Sequence, residues 1–165
     1  MLSYKNDKFY TITPIPYYYA RREVVLKLLK KYVANPACRT VADYGCGDGE
    51  YIKKLYEKNC MSKWYGYDIS EEMIKSAKKL DLDVDYCLAS EGISNTMQFD
   101  LIYTVAVLAH VNDDVVDGIL SNFHDHLTLN GHIILCEQVG KRRTEGTTYT
   151  RRTVEEYEKL RGSII

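Results

Sequence analysis

The sequence predicts a single α/β domain over residues 1–165, with a mainly parallel sheet and helices on both of its faces. Strand-like apolar runs alternate with helical segments, and this rhythm gives parallel strands joined by right-handed crossovers. An acidic residue and three alternate glycines follow the first of these runs, in Val41-Ala-Asp-Tyr-Gly-Cys-Gly-Asp-Gly49. A glycine turn between a strand and a helix is typical of folds that bind a nucleotide-like ligand where their strands end.

The predicted elements begin with an amphipathic helix over residues 22–33, which Asn35-Pro36 ends. Five strands are predicted at about residues 40–44, 63–67, 83–88, 99–104 and 132–138. Helices are predicted near residues 49–59, 71–80, 112–127 and 153–160. We therefore interpret residues 1–35 as a helix with a lid, residues 40–139 as the core, and residues 140–165 as a shortened substrate-side segment.

Composition and charge favour a water-soluble protein of the cytoplasm. The net charge is −1, so no general field attracts nucleic acid or an anionic membrane. No apolar stretch approaches the length of about 18 residues that a membrane helix needs, and the first residues do not resemble a secretory leader. The five cysteines include no C-x-x-C pair, which argues for reduced thiols and against a zinc site.

The glycine turn and a second acidic residue together predict a ribose-binding site. Gly45, Gly47 and Gly49 allow the backbone to bend and to approach a ligand closely. Asp68 ends the second strand-like run, 19 residues after Gly49, where a carboxylate accepts hydrogen bonds from two ribose hydroxyls. The alternative for Asp43 and Asp68 is a role as carboxylates that cap turns.

Two kinds of cofactor fit such a site, and the local residues separate them. The dinucleotide fingerprint needs a third glycine where Glu50 stands, and a glutamate there is unfavourable for a pyrophosphate. A sulfonium cofactor has no phosphates and carries positive charge, which Asp43 is placed to favour. An enzyme that uses NAD or a nucleotide sugar remains a third possibility, opposed by Glu50.

From Asp43 to Gly49 the chain resembles the first motif of the class I S-adenosylmethionine-dependent methyltransferases, acidic-x-Gly-x-Gly-x-Gly. The segments 67–74, 99–111 and 129–135 are similar to later landmarks of that family, although His132 stands where a second glycine is usual. The resemblance implies a Rossmann-like sheet with strand order 3-2-1-4-5. It also implies S-adenosylmethionine as cofactor, bound across the carboxyl ends of strands 1 and 2, and S-adenosylhomocysteine as product.

The resemblance further implies which residues contact the cofactor. An aromatic and basic segment, Tyr17–Arg22, would fold over it and bring an arginine to its carboxylate, unless it is a plain packing stripe. Glu91 would accept from the adenine amino group, unless it is a solvated loop charge. The expected cofactor-binding residues are Tyr18, Arg21, Asp43, Gly45, Cys46, Gly47, Gly49, Asp68, Ile69, Ser90, Glu91, Thr104 and Val105.

Other polar residues are candidates for contact with the methyl acceptor. His110 follows the fourth strand and is a candidate general base, with packing or substrate contact as the alternative. Two basic clusters, 141–143 and 151–152, follow the fifth strand and either hold an anionic group of the acceptor or belong to a solvated loop. His124 and His126 point to different sides of a helix, so we expect surface residues and no metal site there.

We therefore predict a methyltransferase for oxygen or nitrogen of a small molecule. No Asn-Pro-Pro-Tyr or Asp-Pro-Pro-Tyr segment follows strand 4, which disfavours methylation of nucleic-acid bases. The chain stops at Ile165 without residues for the hairpin that usually ends the sheet, so we expect strand 5 to expose an edge. A homodimer or another chain would cover that edge, and the alternative function is a cofactor-binding partner without turnover of its own.

Overall fold

The computed structural model describes residues 2–3, 9–12, 20–141, 143–145 and 149–162. The strands are β1 (Leu2–Ser3), β2 (Phe9–Ile12), β3 (Thr40–Tyr44), β4 (Lys63–Asp68), β5 (Val84–Leu88), β6 (Phe99–Val105), β7 (Leu127–Cys136), β8 (Arg143–Glu145) and β9 (Tyr149–Arg151). The helices are α1 (Ala20–Val33), α2 (Glu50–Tyr56), α3 (Glu71–Ala77), α4 (Asp113–Asp125) and α5 (Val154–Gly162). Short 3₁₀ turns follow α3, β5 and β6, at Lys78–Leu80, Ala89–Glu91 and Leu108–His110.

Seven strands form the main sheet, in the order β1-β2-β7-β6-β3-β4-β5. Five of these strands, β5, β4, β3, β6 and β7, are adjacent and parallel. Numbered 1 to 5 along the chain from β3 onward, they lie in the predicted order 3-2-1-4-5. The chain reverses direction across the sheet between β3 and β6, so the carboxyl ends of these two strands open a crevice. The prediction of a Rossmann-like sheet is confirmed.

The edge of β7 is covered by the chain itself, so the expectation of an open fifth strand is wrong. β2 pairs with β7 in parallel, from Phe9 opposite His132 to Ile12 opposite Leu135. The sequence Phe-Tyr-Thr-Ile has the aromatic and β-branched residues that suit a strand, but these residues lie in the segment that the sequence analysis assigned to a lid.

The chain after β7 also differs from the expectation. β8 and β9 form an antiparallel hairpin that the sequence analysis did not predict. This hairpin is a separate two-stranded sheet and does not extend the main one. The helix predicted after it is confirmed as α5.

Apolar side chains cover both faces of the sheet. Helices α1, α2 and α3 pack on one face, around Leu29, Ile52 and Trp64. Helices α4 and α5 cover the other face, where Phe123 and Tyr157 are fully buried. No helix of the described residues is long and apolar enough to cross a membrane.

Candidate active site

The three glycines after β3 have positive φ angles, and their surroundings differ. A Cβ on Gly45 would collide with the Val107 side chain. One on Gly49 would lie 2.8 Å from Leu80 Cδ1 and 2.9 Å from the Tyr86 hydroxyl, so this glycine lets α2 pack closely. Gly47 has a φ of +56°, and among the described residues no atom except those of its chain neighbours lies within 4 Å of the same position. Gly47 is therefore the glycine whose missing side chain leaves room for a ligand.

Asp68 lies beside this turn, at the carboxyl end of β4. Its Oδ2 accepts a hydrogen bond of 2.8 Å from the backbone N–H of Gly47, and its Oδ1 accepts one of 2.9 Å from Ser70. The carboxylate is partly exposed, and each oxygen keeps a lone pair for another donor. Asp68 thus fixes the glycine turn and can still accept from a ligand's hydroxyl groups, so the two interpretations from the sequence are compatible.

Asp43 is a buried carboxylate with an unsatisfied oxygen. It is 2% exposed, and its Oδ2 has no hydrogen-bond partner among the described residues. Burial raises its pKa to about 7. The nearby Tyr103 hydroxyl partly offsets that rise without forming a hydrogen bond of good geometry, and the negative charge of Asp68 adds to it. A positively charged group bound next to Asp43 would relieve this cost, so the site fits a cation.

Apolar surface is exposed next to these acids. Ile69 follows Asp68 directly and is 84% exposed, which is unusual for an isoleucine in a folded protein. Ser90 and Glu91 are exposed in the turn after β5, the strand that pairs with β4. Because parallel strands end at the same edge of a sheet, these residues lie near one another. An aromatic base in contact with Ile69 would cover its side chain.

Two of the predicted cofactor residues have buried side chains. Cys46 is buried and its Sγ lies 3.0 Å from the ideal Cβ position of Gly66, so only its backbone faces the turn. Thr104 is fully buried and donates to Glu137, so its contact with a cofactor remains a prediction for its backbone alone. Val105, in contrast, is partly exposed at the end of β6. Tyr18 and the side chain of Arg21 lie outside the described residues.

Glu50, which replaces the third glycine of the dinucleotide fingerprint, is engaged with basic residues. It forms ion pairs with Arg22 of α1 and with Lys54 one turn along α2, the latter at 3.7 Å. The pairs are partly exposed, so each stabilises the protein only slightly. They nevertheless explain why a glutamate is accommodated at the start of α2.

His110 lies across the crevice from these acids, in the turn after β6. The residue is exposed, and its ring contacts the Tyr149 ring edge-on at a centroid distance of 5.4 Å. The Tyr149 hydroxyl donates to Gln138 Oε1 at 2.5 Å. This chain of contacts orients the imidazole at the end of the sheet where the sequence predicted the acceptor.

Glu137 was missed by the sequence analysis. It follows β7 directly and is fully buried, and its Oε1 accepts from Thr104 Oγ1 and from the backbone N–H groups of Val107 and Leu108 at 3.0–3.1 Å. Burial raises its pKa, and these hydrogen bonds partly offset that rise. Glu137 therefore holds the turn that carries His110. An acidic residue at the end of an apolar strand is the signal that singled out Asp43 and Asp68, and it applied here too.

Arg152 is the second missed residue, and it holds the same turn from the other side. It is fully buried and donates to the carbonyls of Leu108 and Val111 at 2.5 and 2.6 Å. It also pairs with Asp113 at 2.6 Å and lies over the Tyr157 ring. The sequence placed Arg152 in a basic cluster and gave no sign that it was buried.

The histidines of α4 do not form a metal site within the described part of the chain. His124 lies 3.7 Å from Asp125 on the surface. His126 is only 6% exposed and its Nδ1 lies 2.7 Å from the Asn122 carbonyl, so the expectation that it is a surface residue is wrong. It follows the last residue of α4, and its backbone N–H also donates to the Asn122 carbonyl, at 3.2 Å.

Fold and site together define a Rossmann-like domain with a glycine turn and two carboxylates at the ends of β3 and β4. The model of a methyltransferase domain family matches residues 42–133, which is more than half of the chain. The chain belongs to this methyltransferase domain family. S-adenosylmethionine is the cofactor of the family, and the unpaired Asp43, the open space at Gly47 and the exposed Ile69 fit it.

The individual proteins that resemble this chain have low sequence identity to it. A tRNA U34 carboxymethyltransferase of Campylobacter jejuni is 26% identical over 118 residues, which cover 68% of this chain and 40% of the relative. A trans-aconitate 2-methyltransferase of Acidovorax ebreus is 35% identical over 92 residues, or 55% of this chain and 35% of the relative. The chain thus spans well under half the length of these relatives.

Solved structures show the same fold at low identity. One is an amino pentose methyltransferase of Micromonospora echinaspora, CalS10, with S-adenosylmethionine bound. It is 12% identical with a TM-score of 0.69, and the match covers 92% of this chain and 90% of that one. At this identity the likeness supports the fold alone.

Proposed function

We propose that this chain transfers a methyl group from S-adenosylmethionine to an oxygen or nitrogen atom of a small molecule in the cytoplasm. The observation that carries the proposal is the buried Asp43, whose unpaired Oδ2 lies next to the glycine turn. An enzyme that binds a dinucleotide needs positive or neutral groups there, because pyrophosphate is an anion. A buried acid is suited to the amino group and the sulfonium of the proposed cofactor.

The residues of the chain have separate tasks in this proposal. Asp68 accepts from the ribose hydroxyls while it fixes Gly47. The cofactor supplies an activated methyl group, and the chain must aim the acceptor atom along the sulfur–methyl axis. His110, oriented by Tyr149, receives the proton that the acceptor oxygen or nitrogen loses.

Calorimetric titration tests the cofactor part of the proposal. We expect S-adenosylhomocysteine to bind and NAD not to displace it. Stronger binding of NAD than of S-adenosylhomocysteine would overturn the assignment. His110→Ala should lower methyl transfer by about 100-fold or more without changing the affinity for S-adenosylhomocysteine, whereas His124→Ala on the surface of α4 should change neither.

Two observations argue against the alternative functions, a partner without turnover and an enzyme that acts on tRNA. A partner without turnover of its own was suggested by an uncovered sheet edge, and β2 covers that edge. A relative is named for action on tRNA, but the small net charge of −1 gives this chain no broad basic surface for a polyanion. We therefore favour a small acceptor, and a purified tRNA pool belongs in the screen as the competing substrate.

A further inference from the structure

Two adjacent arginines of the hairpin have opposite surroundings. Arg152 is fully buried and its donors are taken by Leu108, Val111 and Asp113. Arg151 is partly exposed, and its Nε donates to the Lys141 carbonyl at 3.1 Å. No carboxylate of the described side chains lies within ion-pair distance of Arg151. Its terminal guanidinium nitrogens are therefore available to a ligand.

The position of Arg151 places it on the acceptor side of the crevice. Side chains alternate along a strand, so Arg151 lies on the same face of β9 as Tyr149. Tyr149 contacts His110, the residue proposed to receive the acceptor's proton. The hairpin is fixed at its base, because the Gly140 N–H donates to the Arg152 carbonyl at 3.1 Å. Arg151 is thus held in place by its buried neighbour.

Other positive charges accompany Arg151. Arg143 is its direct cross-strand partner in the hairpin, and the exposed Lys141 precedes β8 by two residues. Glu145, opposite Tyr149, is the one acidic residue of the two strands. The sequence of the hairpin therefore carries an excess of positive charge.

We propose that the β8–β9 hairpin binds an anionic group of the methyl acceptor, a carboxylate or a phosphate, through Arg151. This inference rests on the proposed function and narrows its substrate class to small anions. The planar guanidinium of Arg151 matches the two oxygens of either group, and a charge-assisted pair of this kind fixes orientation as well as affinity.

The first test measures binding of citrate and of inorganic phosphate to the protein saturated with S-adenosylhomocysteine, at constant ionic strength set with potassium chloride. We expect both anions to raise the melting temperature of the wild type. Arg151→Gln should weaken their binding about tenfold or more, and Arg151→Lys should weaken it less. Lys58→Gln, at an exposed lysine after α2, is the matched control and should behave as the wild type. Equal anion binding by the wild type and Arg151→Gln would overturn the inference.

The second test measures release of S-adenosylhomocysteine from S-adenosylmethionine with small carboxylates and phosphate monoesters, each beside its neutral amide or alcohol. We expect turnover with an anionic member only, and loss of at least tenfold in kcat/KM with Arg151→Gln. Turnover restricted to neutral acceptors, or to tRNA, would overturn the inference and leave the proposed transferase intact. Failure to bind S-adenosylhomocysteine would instead overturn the proposed function.

Discussion

The two halves of the crevice are built in different ways. On the side proposed to bind the cofactor, β3, its glycine turn and β4 supply Asp43, Gly47 and Asp68, and Asp68 accepts from the Gly47 N–H. On the acceptor side, Glu137 and Arg152 reach the turn after β6 from distant parts of the chain. A local motif therefore builds the first half, and long-range buried polar contacts build the second.

The largest expected effect comes from removing the side chain of Arg152, which should affect the acceptor side alone. Arg152→Ala leaves two carbonyls and Asp113 without their donor, and we expect the free energy of unfolding to fall by about 3 kcal/mol. The affinity of the folded protein for S-adenosylhomocysteine should change less than about twofold, because the cofactor residues lie elsewhere. Denaturant unfolding and calorimetry measure the two quantities. Arg151→Ala is the control, with an expected loss of about 0.5 kcal/mol or less.

A complementary substitution should abolish cofactor binding and leave the protein folded. Gly47→Val should abolish binding of S-adenosylhomocysteine, because the added side chain enters the space that the ligand needs. Gly92 also has a positive φ, +73°, and among the described residues no atom except those of its chain neighbours lies within 4 Å of an added Cβ. Its ψ of 175° makes the backbone cost of Gly92→Val large, so this variant is a stringent control for backbone strain. Circular dichroism should show both variants folded, with binding lost only at position 47. Unfolding of Gly47→Val alone would make that glycine structural.

A smaller loss of cofactor affinity is expected when the carboxylate of Asp68 is removed. Asp68→Ala should cost about 1.5–3 kcal/mol of affinity for S-adenosylhomocysteine, the usual effect of losing hydrogen bonds to a charged group. The Gly47 and Ser70 N–H groups also lose their acceptor, so the turn becomes less ordered. Asp48→Ala, at an exposed aspartate of the same turn, is the control in calorimetric titration. Equal losses at both positions would contradict a specific role for Asp68.

A further expected effect on this side is a pH dependence that arises from Asp43. Burial raises the pKa of Asp43 from 3.8 to about 7, so between these values the folded state holds a proton that the unfolded state has lost. The free energy of unfolding of the free protein should therefore decrease as pH rises through this range. A bound cation favours the carboxylate, so the affinity for S-adenosylhomocysteine should increase about tenfold per pH unit up to about pH 7.

Asp43→Asn provides the control for this pH dependence. The asparagine cannot ionise, so both the stability and the affinity should lose the part of their slope that Asp43 supplies. Calorimetry and denaturant unfolding at constant ionic strength from pH 5 to pH 8 measure it. A wild-type slope that survives in Asp43→Asn would belong to another group and would contradict the assignment.

The comparison between the two halves also explains how much the sequence could predict. Asp43, Gly47 and Asp68 were predicted correctly in place, because hydrophobic periodicity and a glycine turn are local signals. Their proposed contacts with a ligand stay predictions. The strand order was predicted from the resemblance to a family and not from these signals. The roles of Glu137 and Arg152 were not predicted, because they depend on contacts with a turn that is distant in the sequence. The alternation of side chains along a strand did not by itself show which of Arg151 and Arg152 is buried.

The sheet edge shows a second limit of the sequence. Residues 9–12 were assigned to a lid because aromatic residues near the start resembled one, and pairing of β2 with β7 leaves no periodic trace in so short a strand. His126 was assigned to the surface from helical geometry, but it ends α4 and turns inward to the Asn122 carbonyl. Both errors concern contacts made at the ends of elements, where periodicity carries little information.

The pairing of β2 with β7 has a consequence for the order in which the chain folds. The two strands are separated by about 120 residues, so a ribosome releases β2 long before its partner exists. Closing so long a loop is entropically costly until β3 to β7 have formed a template. We expect β2 to join the sheet last. In pulse-labelled hydrogen exchange during refolding, its amide protons should gain protection after those of β6, whose neighbours β3 and β7 both belong to that template.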